Sequence, residues 1–178
     1  MTVDDLILVN YCHPDCTPMK NIMRLPREEA FALAAEMAAR HRDTTAFYRF
    51  ADFAHYYPER LRTDELLRSR FLALGGEPAQ AHPLSFVLQG SDYLDGWFDH
   101  GITTRIPLSG IPSKSVSFTC GDSMAALKRH GDFTMMTKEA LLDAIGAFQG
   151  SVEDFLSDVA GRYHYIEAQL WDDGCLNL

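Results

Sequence analysis

Two cysteines, a histidine and an aspartate fall within residues 12 to 16, CHPDC, the densest group of candidate ligands in the chain. A closed zinc site takes four ligands, and its strongest sequence signature is a pair of short Cys or His spacings. Only one such spacing is present. Cys12, His13, Asp15 and Cys16 offer part of a metal shell, while Cys120, Cys175 and His164 stand at isolated positions. The interval between the cysteines also differs from the Cys-x-x-Cys of thiol exchange. The alternative is structural: Cys12 closes a buried strand and His-Pro-Asp makes a turn.

Two further constellations could do chemistry. Leu67, Phe71 and Leu74 recur at helical spacing, and the same stripe runs back through Asp64 and Arg60 and close to Tyr57. An arginine fork on such a line matches a carboxylate or phosphate; the alternative is an Arg60/Asp64 pair one turn apart that only braces the helix. In YHYIEAQLW, alternation sets Ile166, Ala168 and Leu170 on one face and Tyr165, Glu167, Gln169 and Trp171 on the other. Aromatic and polar groups together suit a cleft wall, although a half-exposed strand would carry the same pattern. In the catalytic reading, Arg60 holds an anionic group, Tyr57 and Tyr165 stack or hydrogen-bond, and Glu167 is the acid or base.

Gly-Asp-Ser at 121 to 123, between a strand-like and a helix-like segment, resembles the nucleophile block of GDSL-type esterases, which implies Ser123 as nucleophile. That family's Asp-x-x-His block is missing from the residues that follow. Asp122 or Ser123 as a helix cap accounts for the same residues. Glu167-Ala-Gln169 resembles the Glu-x-Glu or Gln-x-Glu signature of ADP-ribosyltransferases, with Gln169 where that family places its catalytic glutamate. The segments YYPERLRTDELLRSRFLALGGEPAQAHPLSFVLQGSDY, RIPLSGIPSKSVSFTCGDSM and YHYIEAQLW together resemble a family of small, uncharacterised bacterial proteins. That likeness implies a compact bacterial cytosolic protein and carries over no activity and no catalytic residue.

The elements that must position these residues are readable from pattern and punctuation. LILVNYC suits a short buried strand, and HPDCTPMKNIMRLP a proline-rich loop. LPREEAFALAAEMAARHR predicts a helix, with Glu28 and Glu29 at its positive end and Arg40, His41 and Arg42 at its negative end. TTAFYRF reads as strand-like. A second helix is expected from Pro58 near its start to Gly75-Gly76 past its end. HPLSFVLQG predicts a strand and DYLDGWF a short helix capped by Ser91; TTRIPL and SVSFT predict two strands joined by a turn. Helices are expected from GDSMAALKRHG and after Thr137 and Ser151, before a last strand in YHYIEAQLW. Strands and helices alternate without regular βαβ spacing. The expectation is therefore a single α+β domain, with a mixed or antiparallel sheet of about five or six strands and helices packed on it.

Composition bounds the function. The chain has 178 residues, 47% hydrophobic, with a net charge of −9. The acidic balance argues against a phosphate-backbone binder, so nucleic acid is not an expected partner. No apolar run approaches the roughly 20 residues that cross a bilayer, and MTVDDLILVNY has acids where a secretory signal carries positive charge. A cytosolic protein with reduced thiols follows as the expectation. No motif names a cofactor. Two functions remain open: an enzyme or binding protein for a small anionic or nucleotide-like ligand, and a non-catalytic, oligomeric interaction module. In the second, Met135 and Met136 of FTMMTKEALL contribute to a partner surface.

Overall fold

The computed structural model describes residues 1–177, without the side chain of Asn177. Its frame is one six-stranded sheet: β1 (Ile7–Cys12), β2 (Leu84–Leu88), β3 (Ile102–Pro107), β4 (Val116–Cys120), β5 (Met135–Thr137) and β6 (Ile166–Leu170). The spatial order is β3-β1-β2-β6-β4-β5. Every neighbouring pair is antiparallel. Among the alternatives left open by the sequence, the sheet is antiparallel throughout, in an α+β fold.

Residue alternation gives the sheet two different faces. On one, Leu8, Phe86, Phe118, Ile166, Ala168 and Leu170 build the main apolar core with helices α5 (Lys138–Ala147) and α6 (Val152–Tyr163), which contribute Leu141, Ile145 and Val159. Thr137 and Ser151 cap these helices, accepting from the amides of Ala140 and Asp154. On the other face lies α2 (Phe53–Ala73), whose Leu67 and Phe71 pack with Trp171 and Phe133. Helix α1 (Arg27–Arg40) packs on α2 through Ala30, Ala34 and Phe53. Short helices α3 (Asp92–Trp97) and α4 (Ser123–His130) begin at Ser91 and Asp122, whose side chains accept from the amides of Leu94 and Ala125. Among the described residues no helix is long and apolar enough to cross a membrane.

Four local expectations change. The TTAFYRF stretch forms no strand; it leads into a 3-10 helix, Tyr48–Asp52, that runs into α2. Phe50, Phe53 and Tyr57 share a helical period, and their rings pack together near α1. This earlier start leaves Pro58 inside α2 rather than in its first turn. The strands of TTRIPL and SVSFT are present as β3 and β4 but lie apart, with β1, β2 and β6 between them. Finally, Met135 and Met136 belong to the short edge strand β5, partly buried against opposite apolar clusters. Each side chain thus serves the core in part and stays partly exposed at the sheet edge.

Candidate functional site: a buried polar row beneath α2

Both faces of β6 are buried, which neither sequence reading of Glu167 and Gln169 anticipated. Register places Val87, Glu167, Thr119 and Met135 in one row across β2, β6, β4 and β5, with Gln169 opposite Ser117 in the next. Roofed by α2, these polar side chains must satisfy one another, because an unpaired buried group is costly. The Trp171 indole donates to Ser117 Oγ at 2.9 Å, and the Ser117 hydroxyl donates to Gln169 Oε1 at 2.8 Å. The Gln169 amide donates to Thr119 Oγ1 at 3.1 Å, and the Thr119 hydroxyl reaches Glu167 Oε2 at 3.2 Å. A backbone donor, the Ser123 amide at the start of α4, meets the same Oε2 at 2.8 Å.

Glu167 thus terminates a hydrogen-bonded chain. All its bonds fall on Oε2; Oε1 accepts none among the described residues. Burial first, and the neighbouring Asp122 second, push its carboxyl above the ordinary range, against the pull of Arg60 and Ser123. Ser123 is fully buried, and its Oγ has no hydrogen-bond partner among the described residues. Asp122, not Ser123, caps α4. Among the described residues the hydrogen bonds around Ser123 reach a carboxyl and no imidazole, the partner that an esterase reading requires.

Three residues of α2 face this row at intervals of one turn: Tyr56, Arg60 and Asp64. Arg60 Nη2 lies 2.7 Å from Asp64 Oδ1, and His82 Nδ1 lies 2.8 Å from Asp64 Oδ2. The arginine contact is one of charge, without the angles of a hydrogen bond. Burial acts to lower the proton affinity of Arg60, but Asp64, Tyr56, Glu167 and Asp122 together raise it, so the guanidinium stays charged. Tyr56 is pushed above the ordinary phenol range chiefly by burial.

An open cleft of about 370 Å³ is lined by Tyr48, Arg49, Tyr56, Met124, Lys128 and Arg129 among others; Tyr56 belongs both to it and to the α2 face above the row, while Glu167 does not line it. Arg49 Nη2 lies 3.4 Å from Asp122 Oδ2, and its Nε donates to the Tyr48 hydroxyl at 2.9 Å. The guanidinium sits 5.5 Å and 5.8 Å from the ring centroids of Tyr48 and Tyr56. From Tyr48 a run of rings continues: Trp97 at 5.4 Å, then Tyr93 at 5.8 Å, then His164 stacked on Tyr93 at 5.3 Å. Tyr165 lies 6.5 Å from Tyr93 and is held protonated by burial and by the charges of Asp122 and Glu167.

The structure therefore brings Arg60, Asp64, Glu167 and Tyr165 into one region, while separating others from it. Tyr57 points to α1, packed on Phe31 and Phe53 at 5.4 Å and 5.6 Å, and Tyr56 takes its expected place. Gln169 and Trp171 are fully buried links in the chain, with Trp171 stacked on Phe71 at 5.9 Å, and neither faces a cleft. Arg49 and His82 are unanticipated members. Arg49 sits in the stretch read as strand, and nothing local to His82 marks it, since its partner Asp64 is distant in sequence.

The CHPDC group divides differently from its sequence reading. Cys12, Cys16, Cys120 and Cys175 are all free. Burial, then the proximity of Cys16, pushes the Cys12 thiol up to about 11. Of the candidate ligands in CHPDC, His13 and Asp15 join an ion-site geometry with His41; the cysteines are not part of it. No protein family, curated protein or solved structure matches the chain.

Proposed function

We propose that the chain binds a small anionic ligand carrying a flat ring in the cleft at Arg49, and that Glu167 exchanges a proton with it. The observation that carries this reading is Glu167 itself: a buried carboxyl with a raised proton affinity, oriented through Oε2 and with Oε1 free of hydrogen bonds. A general acid needs a proton affinity above that of a free carboxyl together with fixed geometry. Arg49, Arg129 and Lys128, the last paired with Glu59 at 3.6 Å, supply positive charge at a cleft that Asp52 also lines; Tyr48 and Tyr56 supply ring faces, and Arg60 balances the acids beneath. Arg49 replaces Arg60 as the anion contact because Arg60 is only 8% exposed and already lies against Asp64. A bacterial, cytosolic setting belongs to the same proposal and rests on the sequence likeness, the acidic charge and the free thiols.

A second reading, a non-catalytic interaction module, draws on the run of rings from Tyr48 to His164, in which Tyr48 and Tyr93 are more than half exposed. One experiment separates the two. Wild type, Arg49→Ala and Glu167→Gln are melted against nucleotides, sugar phosphates, nicotinamide cofactors and amino acids. A ligand present at 100 times its Kd adds about 2.7 kcal/mol to a folded protein. The expected result is stabilisation of wild type by an anionic ring compound, lost in Arg49→Ala and retained in Glu167→Gln, with turnover absent in the latter. Three well-folded proteins and no shift across the panel would reject the small-ligand reading in favour of a partner surface.

A further inference from the structure

We propose that His13, Asp15 and His41 form a binding site for one zinc-type divalent ion, separate from the cleft. Each offers one ligand atom, and these atoms all lie within 4.8 Å of one another. Imidazole nitrogen and carboxylate oxygen are the donors that zinc and its first-row neighbours prefer in open sites.

The contact between His41 and Asp15 is the most telling. His41 Nε2 and Asp15 Oδ2 approach to 3.2 Å, yet the buried Nε2 has no hydrogen-bond partner among the described residues. A nitrogen and an oxygen that come this close without aiming at each other are placed as two donors to a shared third body. Donors of a tetrahedral zinc, each about 2.0–2.2 Å from the ion, stand roughly 3.4 Å apart, close to this separation. His41 also occupies the C-terminal end of α1, the negative pole of the helix, which favours a cation.

The surroundings support the ligands. His13 is 7% exposed; its Nε2 lies 3.3 Å from Asp99 Oδ2 and its Nδ1 accepts from the Asp15 amide at 3.1 Å, so an ion takes one of these nitrogens in place of its present partner and the other contact orients the ring. Asp99 and His100 form a left-handed turn, with φ of 56° and 53°. The His13 ring lies 4.6 Å from the His41 ring, and Phe47 packs on both, at 4.9 Å and 5.2 Å. Asp15 is exposed and His41 half-buried, so an ion has a path from solvent. The loop after β1, the end of α1 and the turn before β3 would be tied together by an ion at this point.

The test uses the untagged, metal-stripped full chain, titrated calorimetrically with zinc and followed in visible absorption with cobalt. Wild type is expected to bind one ion, and His41→Ala and Asp15→Asn each to weaken it by about 10-fold or more, with the paired change Cys12→Ser and Cys16→Ser leaving it within about 2-fold. Cobalt is expected to give ligand-field bands without a thiolate charge-transfer band. Zinc should raise the Tm of wild type and not of His41→Ala, while circular dichroism without metal verifies each fold. Asp15 is exposed, so its variant reports even if His41→Ala folds poorly. Absence of saturable zinc binding by wild type would overturn the proposal. So would binding that survives both the His41 and Asp15 changes, or binding that is lost with the cysteines.

Discussion

A proton on Glu167 links this side chain to the stability of the protein as well as to its chemistry. Its carboxyl has a higher proton affinity in the folded chain than the ordinary value of 4.5, because burial and Asp122 outweigh Arg60 and the Ser123 amide. The folded state therefore holds this proton more tightly than the unfolded one. Its contribution to stability is complete below the unfolded value and declines as pH rises through the raised folded value. Glu167→Gln removes the titration while preserving an oxygen that can accept from Ser123. The expected outcome is that wild type loses Tm relative to Glu167→Gln as pH is raised from 4.5 toward neutrality. Melting curves of the two proteins in matched buffers measure the difference, and parallel profiles would mean that Glu167 is not the titrating group.

Within elements, the close fit at the end of α2 decides how firmly the roof is held. The Gly76 amide donates to the Phe71 carbonyl at 2.8 Å, and a Cβ at Gly76 would meet the Phe71 ring at 2.5 Å. That ring is fully buried and stacked on Trp171, so it has nowhere to retreat. Gly76→Ala is expected to cost about 1–3 kcal/mol, the usual range for overpacking, measured by urea denaturation. A change below about 0.5 kcal/mol would mean that the ring relaxes. The double glycine was legible in sequence as a helix stop, whereas its contact with Phe71 was not, because stop signals carry no tertiary distances. The same division holds elsewhere. Caps at Ser91, Thr137 and Ser151 and the alternation of β6 were legible because each is local. The stripe through Arg60 and Asp64 runs on through Leu67 to Phe71 and stops there, since Leu74 lies past the end of α2 and is exposed; residues 56 and 57 both neighbour it, and only packing with α1 decides that Tyr57 turns away. His82 and Arg49 join through contacts remote in sequence, and the strand-like appearance of TTAFYRF concealed the helical period of its aromatic residues.

At the scale of the whole molecule, the two apolar layers share one sheet, and Trp171 joins the roof helix to that sheet through Phe71 and Ser117. The two layers bury opposite faces of the same strands, and the polar row is uncovered if α2 departs, so unfolding is expected to be a single cooperative transition. Far-UV circular dichroism and near-UV aromatic signals should trace one curve in urea. Separate midpoints would instead show that the α2 layer can detach while the main core persists.

The strand order carries a consequence for biosynthesis. β6 emerges from the ribosome after the other five strands, yet it occupies the position between β2 and β4. Until it arrives, β3-β1-β2 and β4-β5 are two partial sheets, each with an open edge reserved for a strand not yet made. The β2 edge stands open from Leu88 onward and the β4 edge from Cys120 onward until Ile166–Leu170 is made, and that single late segment then joins the halves, buries Glu167 and completes the hydrogen-bonded row.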